Sequence, residues 1–74
     1  MATYQEAYAV YKKYMKQLLS LSGVVLVTVE CRNVEQTDCF ILVQLEEGSP
    51  AQVPLMLDGV PVITQYVPKR PKVV

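Results

Sequence analysis

The chain has 74 residues, 51% hydrophobic and 19% charged, with seven Lys+Arg against seven Asp+Glu. That length allows one small domain, which buries only ~60% of the surface its unfolded chain exposes, and the composition is core-forming rather than disordered. A neutral total sets up no global pull toward nucleic acid or acidic membrane. The lack of His removes imidazole metal sites and Ser–His or Cys–His nucleophile pairs, and two Cys cannot enclose a structural zinc.

Thr3-x-x-Glu6 has the form of a capping box, with the Thr hydroxyl and the Glu carboxylate each taking a free amide. Behind it, Tyr4, Tyr8, Tyr11, Met15, Leu18 and Leu19 fall on one side at helical spacing, and Ala7, Val10, Tyr14 and Leu21 widen the stripe. Gln5, Glu6, Lys12, Lys13, Lys16 and Gln17 fill the other half. The spacing predicts an amphipathic helix over 4–21, stopped by Gly23 in a left-handed conformation. Tyr4, Tyr8 and Tyr11 are expected beneath it, packed on the sheet with their hydroxyls at the rim, and Tyr14 on its flank, partly exposed.

After Gly23 the period changes to two. Val25, Val27, Val29 and Cys31 alternate with Val24, Leu26, Thr28, Glu30 and Arg32. Beyond the polar segment 33–38, Cys39, Ile41, Val43 and Leu45 alternate with Phe40, Leu42, Gln44 and Glu46, which predicts an antiparallel hairpin. Pro50 and Pro54 mark an irregular crossover over 48–57, with room for a helical turn at 55–57; Asp58-Gly59 is a turn. Val60–Val67 reads as a third strand, with Pro61 at a sheet edge or bulge; its neighbour and direction stay open. Residues 68–74 read as an extended, mobile Pro/Lys/Arg tail. The expected fold is a two-layer α+β domain over 1–67, one N-terminal helix on a three-stranded, mainly antiparallel sheet.

The run Pro54-Leu55-Met56-Leu57-Asp58-Gly59-Val60-Pro61-Val62, following a helix, a Gly-Val step and a hairpin, resembles a segment of uncharacterised bacterial proteins. Those proteins carry a proline, leucine, Asp-Gly-Val-Pro-Val string after a similar hairpin, sometimes ahead of a trypsin-like protease domain. The likeness spans roughly residues 10–67 in element order and about nine residues in motif. The first strand departs from the more Gly-rich family pattern, reading Val-Val-Leu-Val-Thr-Val-Glu-Cys. What the resemblance implies is the helix-then-strands layout, with a structural role for Asp58-Gly59 and no activity.

Few residues offer chemistry. Glu46 and Glu47 are adjacent in a strand and point to opposite faces, and Asp58 belongs to a turn, so no carboxylate pair forms. No catalytic residue, cofactor or metal is expected. Cys31 and Cys39 share a nominal sheet face, and a register that sets them opposite would bring them within bridging distance. The expectation is two reduced, partly buried thiols in a cytoplasmic protein. Lys12, Lys13 and Lys16 ahead of an apolar stretch imitate a signal peptide, but they sit behind an amphipathic lead and no small-residue cleavage site follows. The apolar runs Val24–Val27 and Phe40–Val43 are far short of the ~20 residues that span a bilayer.

The informative feature is a sheet with two apolar faces and one helix to cover them. If the helix takes the face of Val25, Val27, Val29, Ile41, Val43 and Leu45, then Val24, Leu26, Phe40 and Leu42 remain on the other, extended by Ile63 or Val62 according to register and rimmed by polar residues. The expected function is a small self-associating interaction module, a homodimer through that face, with no chemistry of its own. The alternative is a nucleic-acid-binding accessory protein that uses Lys12, Lys16 and the tail residues Lys69, Arg70 and Lys72.

Overall fold

The computed structural model describes residues 2–68. The elements are α1 (Tyr4–Leu19), β1 (Val24–Cys31), β2 (Cys39–Glu46), β3 (Met56–Leu57) and β4 (Val60–Val67). As expected, α1 covers one face of a single sheet in a two-layer α+β fold. The sheet has four strands rather than three, in the order β1-β2-β4-β3. The tail expected over 68–74 lies, beyond Pro68, outside the described residues.

The start of α1 is fixed by its capping box: the Glu6 amide donates to Thr3 Oγ1 at 3.2 Å, and the Thr3 amide donates to Glu6 Oε1 at 3.0 Å. The Thr3 amide, then the Thr3 hydroxyl, hold the Glu6 carboxyl below its usual pKa. At the other end the helix stops two residues earlier than its periodicity predicts, with Ser20 as C-cap. Gly23 follows at φ +87°, where a Cβ would lie 2.6 Å from Ser49 Cβ. Both the left-handed backbone and the close approach of the crossover demand glycine there.

The hairpin β1–β2 is antiparallel, and β4 joins β2 in parallel. Parallel neighbours require a long connection, and residues 47–59 supply it. Ala51 and Val53 of this crossover pack against the core beside the helix. The helical turn expected at 55–57 is instead the short strand β3, paired with β4 through Met56–Pro61 and Leu57–Val60. Asp58 and Gly59 link the two strands with φ +48° and +82°, the pair of positive values a tight two-residue hairpin needs.

The core lies between α1 and the sheet. Ile41, Val43 and Leu45 of the central strand are fully enclosed, with Ala7 and Leu18 above them and Val27, Val60 and Val62 beside them. The tyrosines divide differently from expectation. Tyr11 and Tyr14 pack against this core, whereas Tyr8 is 43% exposed and stacks between Tyr4 and Tyr11 with ring centroids 5.8 Å apart on each side. The reason is steric: Ala7 has no exposed surface, and a helix turned with Ala7 toward the sheet carries Tyr4 and Tyr8 to its flank.

A second departure concerns the thiols. Cys31 and Cys39 are directly opposite in register and joined by a disulfide, with Cα atoms 3.9 Å apart. Arg32 and Asp38, the next pair outward, are hydrogen-bonded through Arg32 N and Asp38 O. The cysteines therefore occupy a non-hydrogen-bonded pair, the positions where antiparallel strands approach most closely. The loop is pre-shaped by Asn33, whose Oδ1 accepts from the amides of Thr37 and Asp38 at 3.1 Å each. Closing a loop this short is worth about 2–3 kcal/mol in the chain-entropy account. The purified chain should weigh two hydrogens less than its reduced form, and reduction should lower its unfolding midpoint; an unchanged midpoint would show that the bridge contributes nothing.

Candidate interaction surface

The face of the sheet turned away from α1 carries Leu26, Phe40, Leu42 and Ile63, with Val67 extending it along β4. None of these is buried, and Leu26 is 42% exposed. The register explains their grouping. Leu42 pairs with Ile63 on one side and Thr28 on the other, and Phe40 pairs with Glu30. An apolar centre is thus bordered by Thr28, Glu30, Gln44 and Gln65, and the Gln44 side-chain amide donates to Gln65 Oε1 at 2.8 Å. The guanidinium of Arg32 lies 4.8 Å from the centre of the Phe40 ring, a cation–π contact that keeps the ring on this face.

Val24 does not belong to this group. Its partner is Leu45, whereas Leu26 pairs with Gln44, so Val25 is an extra residue on β1. The bulge moves Val24 to the helix side, where it packs on the core, and leaves Val25 48% exposed. Val25, Gln44, Glu46, Val67 and Pro68 line a shallow depression of about 510 Å³ at the end of this face.

Of the basic residues read as a contact surface, only those of α1 are among the described residues. Lys12 and Lys16 lie on the exposed side of α1, and Lys69, Arg70 and Lys72 fall outside the described residues. Lys13 is engaged: its Nζ is 3.0 Å from Asp58 Oδ2, and the Tyr14 hydroxyl donates to Asp58 Oδ1 at 3.1 Å. This clasp ties the middle of α1 to the β3–β4 turn across more than forty residues of sequence. Lys13, then Tyr14, hold the Asp58 carboxyl below its usual pKa, and the same bond to Asp58 raises that of Lys13. Nothing local in the sequence marks it, because Lys13 sits among the solvent-facing residues of the helix and Asp58 in a turn.

Glu46 lies at the end of the uncovered face, Glu47 beyond it, and Asp58 on the clasp, so the three acids do not converge. Among the described residues no group of three or more His, Cys, Asp or Glu could hold a metal ion. Among the described residues no helix is long and apolar enough to cross a membrane. Compared with family models, curated proteins and solved structures, the chain matches none.

The clasp has a definite pH signature. A carboxyl whose folded pKa is lowered stabilises the fold fully above its unfolded value, and that gain disappears as pH falls through the folded value. Asp58→Asn should therefore melt slightly below the wild type near neutrality, with the two curves converging in acid. The effect is small because the pair is exposed to solvent. A difference that persists unchanged below the Asp58 pKa would assign it to packing rather than charge.

Proposed function

We propose that the protein is a small self-associating interaction module without chemistry of its own, and that the uncovered face of the sheet is its interface. The observation that carries this is the placement of Leu26, Phe40, Leu42 and Ile63 together on a sheet face with no helix over it. Apolar surface of this kind is favourable to remove from water, at roughly 25 cal/mol per Å², and a polar rim around an apolar centre suits a protein contact. Face-to-face packing of two such sheets across a two-fold axis buries both patches at once. For the nucleic-acid alternative the described lysines divide: Lys13 is bound to Asp58, whereas Lys12 lies 5.8 Å from the centre of the exposed Tyr8 ring, a single cation beside stacked tyrosines and less than the extended basic groove such binding uses. The Cys31–Cys39 bridge weighs against a cytoplasmic setting, since disulfides persist mainly in oxidising compartments.

Two neighbouring residues separate core from interface. Ile41 is fully enclosed under α1 and Leu42 faces the other way. Ile41→Ala should cost about 2–5 kcal/mol of stability through the cavity it leaves. Leu42→Glu should lower the mass measured by sedimentation while the circular dichroism of the fold survives. A Leu42→Glu protein with wild-type mass at every concentration would refute this interface.

A further inference from the structure

The helix has a second apolar stripe that the described residues leave uncovered. At 100° per residue, Lys13 and Tyr14 project toward Asp58, beyond β4. The opposite flank, toward β1, carries Tyr4, Tyr8, Met15 and Leu19. Tyr4, Tyr8 and Leu19 are 39–46% exposed. With Tyr11, which both stripes share, the spacing is 4-3-4-4, close to the 4-3 alternation of a helix–helix seam.

Below this flank lies an open strand edge. β1 is the outermost strand of the sheet. Because Arg32 N bonds Asp38 O across the hairpin, the even-numbered residues 26–32 of β1 direct their amides to β2 and the odd-numbered ones outward. The N–H and C=O groups of Val27, Val29 and Cys31 thus face away from the sheet, and no hydrogen bond reaches them from the described residues outside it. The strand Val-Val-Leu-Val-Thr-Val-Glu-Cys has neither Lys nor Pro to discourage pairing. At the other edge β3 covers β4 only at Val60 and Pro61, with Val62 N bonded to Leu55 O.

We infer that a second copy of this chain docks here, β1 pairing antiparallel with β1 of its mate to make one continuous eight-stranded sheet, and α1 packing against the mate's α1. Three features select a second copy over an unrelated strand. First, the geometry closes on itself. The N-terminal end of α1 lies beside the Cys39 end of the hairpin, through Cys39 N to Ala2 O, and its C-terminal end beside Val24, through Val24 N to Leu21 O. A two-fold axis near Thr28 therefore passes close to the middle of the helix. It sets Tyr8 against Met15 of the second copy and Tyr4 against Leu19 of the second copy. Second, α1 lies over the β1–β2 pair, so the two helix axes fall about two strand spacings apart, ~10 Å, a normal helix-packing distance. Third, the charges permit it. With the axis near Thr28, Glu30 faces Leu26 of the second copy rather than its own equivalent.

The exposed parts of Tyr4, Tyr8 and Leu19 come to roughly 300 Å² per protomer, and Met15 and the strand edge add to this toward the ~800 Å² per partner of a specific dimer. This contact is separate from the uncovered sheet face and does not rest on it; both together would give a tetramer.

Amide hydrogen exchange across a concentration series tests the pairing on the unaltered chain. The amides of Val27, Val29 and Cys31 should become at least tenfold slower as concentration rises. The double variant Tyr8→Glu/Leu19→Glu, which alters only exposed positions, should lose that protection and its share of the mass. Leu42→Glu should keep the protection, so failure of the face contact and failure of the edge contact give different results. If Leu42→Glu changes nothing while the flank variant becomes monomeric, the edge contact stands alone. Free exchange of the three amides at the highest concentration overturns it, as does a folded flank variant with wild-type mass and protection. Should the flank variant fail to fold, the exchange rates of the wild type decide.

Discussion

The burial of Ile41, Val43 and Leu45 beneath α1 is the contact on which the rest of the structure depends. These side chains project from the central strand of the sheet, so the helix that covers them also decides which side of every neighbouring strand is inside. Val27 on one neighbour and Val62 on the other complete the same layer. A domain of this size has little other apolar volume to enclose. The disulfide, the capping box and the Lys13–Asp58 clasp act at the margins of that layer, each holding an element at the angle the layer needs.

Choosing one face commits the other to solvent or to a second molecule. Phe40, Leu42 and Ile63 occupy alternate positions on the same strands and cannot share the helix. The helix is similarly two-sided: the residues that meet the sheet, Ala7, Tyr14 and Leu18, leave Tyr4, Tyr8 and Leu19 on the flank. Among the described residues, a single helix on this sheet thus leaves two apolar surfaces uncovered. Self-association is the simplest use for both, because a two-fold axis supplies a matching apolar surface without another gene product.

Much of this was legible in the residues. The Thr3/Glu6 box, the Gly23 stop and the two alternating runs define the helix and the hairpin directly. What escaped has physical causes. Val24-Val25-Leu26-Val27 is apolar throughout, so alternation carries no marker for the bulge that exchanges the faces of Val24 and Val25. The helix offers two overlapping stripes, and the large aromatic side chains of Tyr4 and Tyr8 outweigh Ala7 in any hydrophobic pattern, although Ala7 is the one fully buried. The Cys31–Cys39 bridge depends on hairpin register, which the alternation leaves free by two residues at a time. The parallel placement of β4 and the two-residue strand β3 depend on the path of the crossover, where Pro50 and Pro54 obscure any period. The uncovered apolar face was evident, with Val24 as its one misplaced member.

The most direct test of one covered and one shared face is an isotope-filtered nuclear Overhauser experiment on a mixture of labelled and unlabelled chains, which reports only contacts between molecules. The methyl groups of Leu26, Leu42 and Ile63 should give intermolecular signals, and those of Ile41, Val43 and Val62 should give none. Intermolecular signals from Ile41 and Val43, or their absence from Leu42 and Ile63 in an assembled sample, would contradict the account.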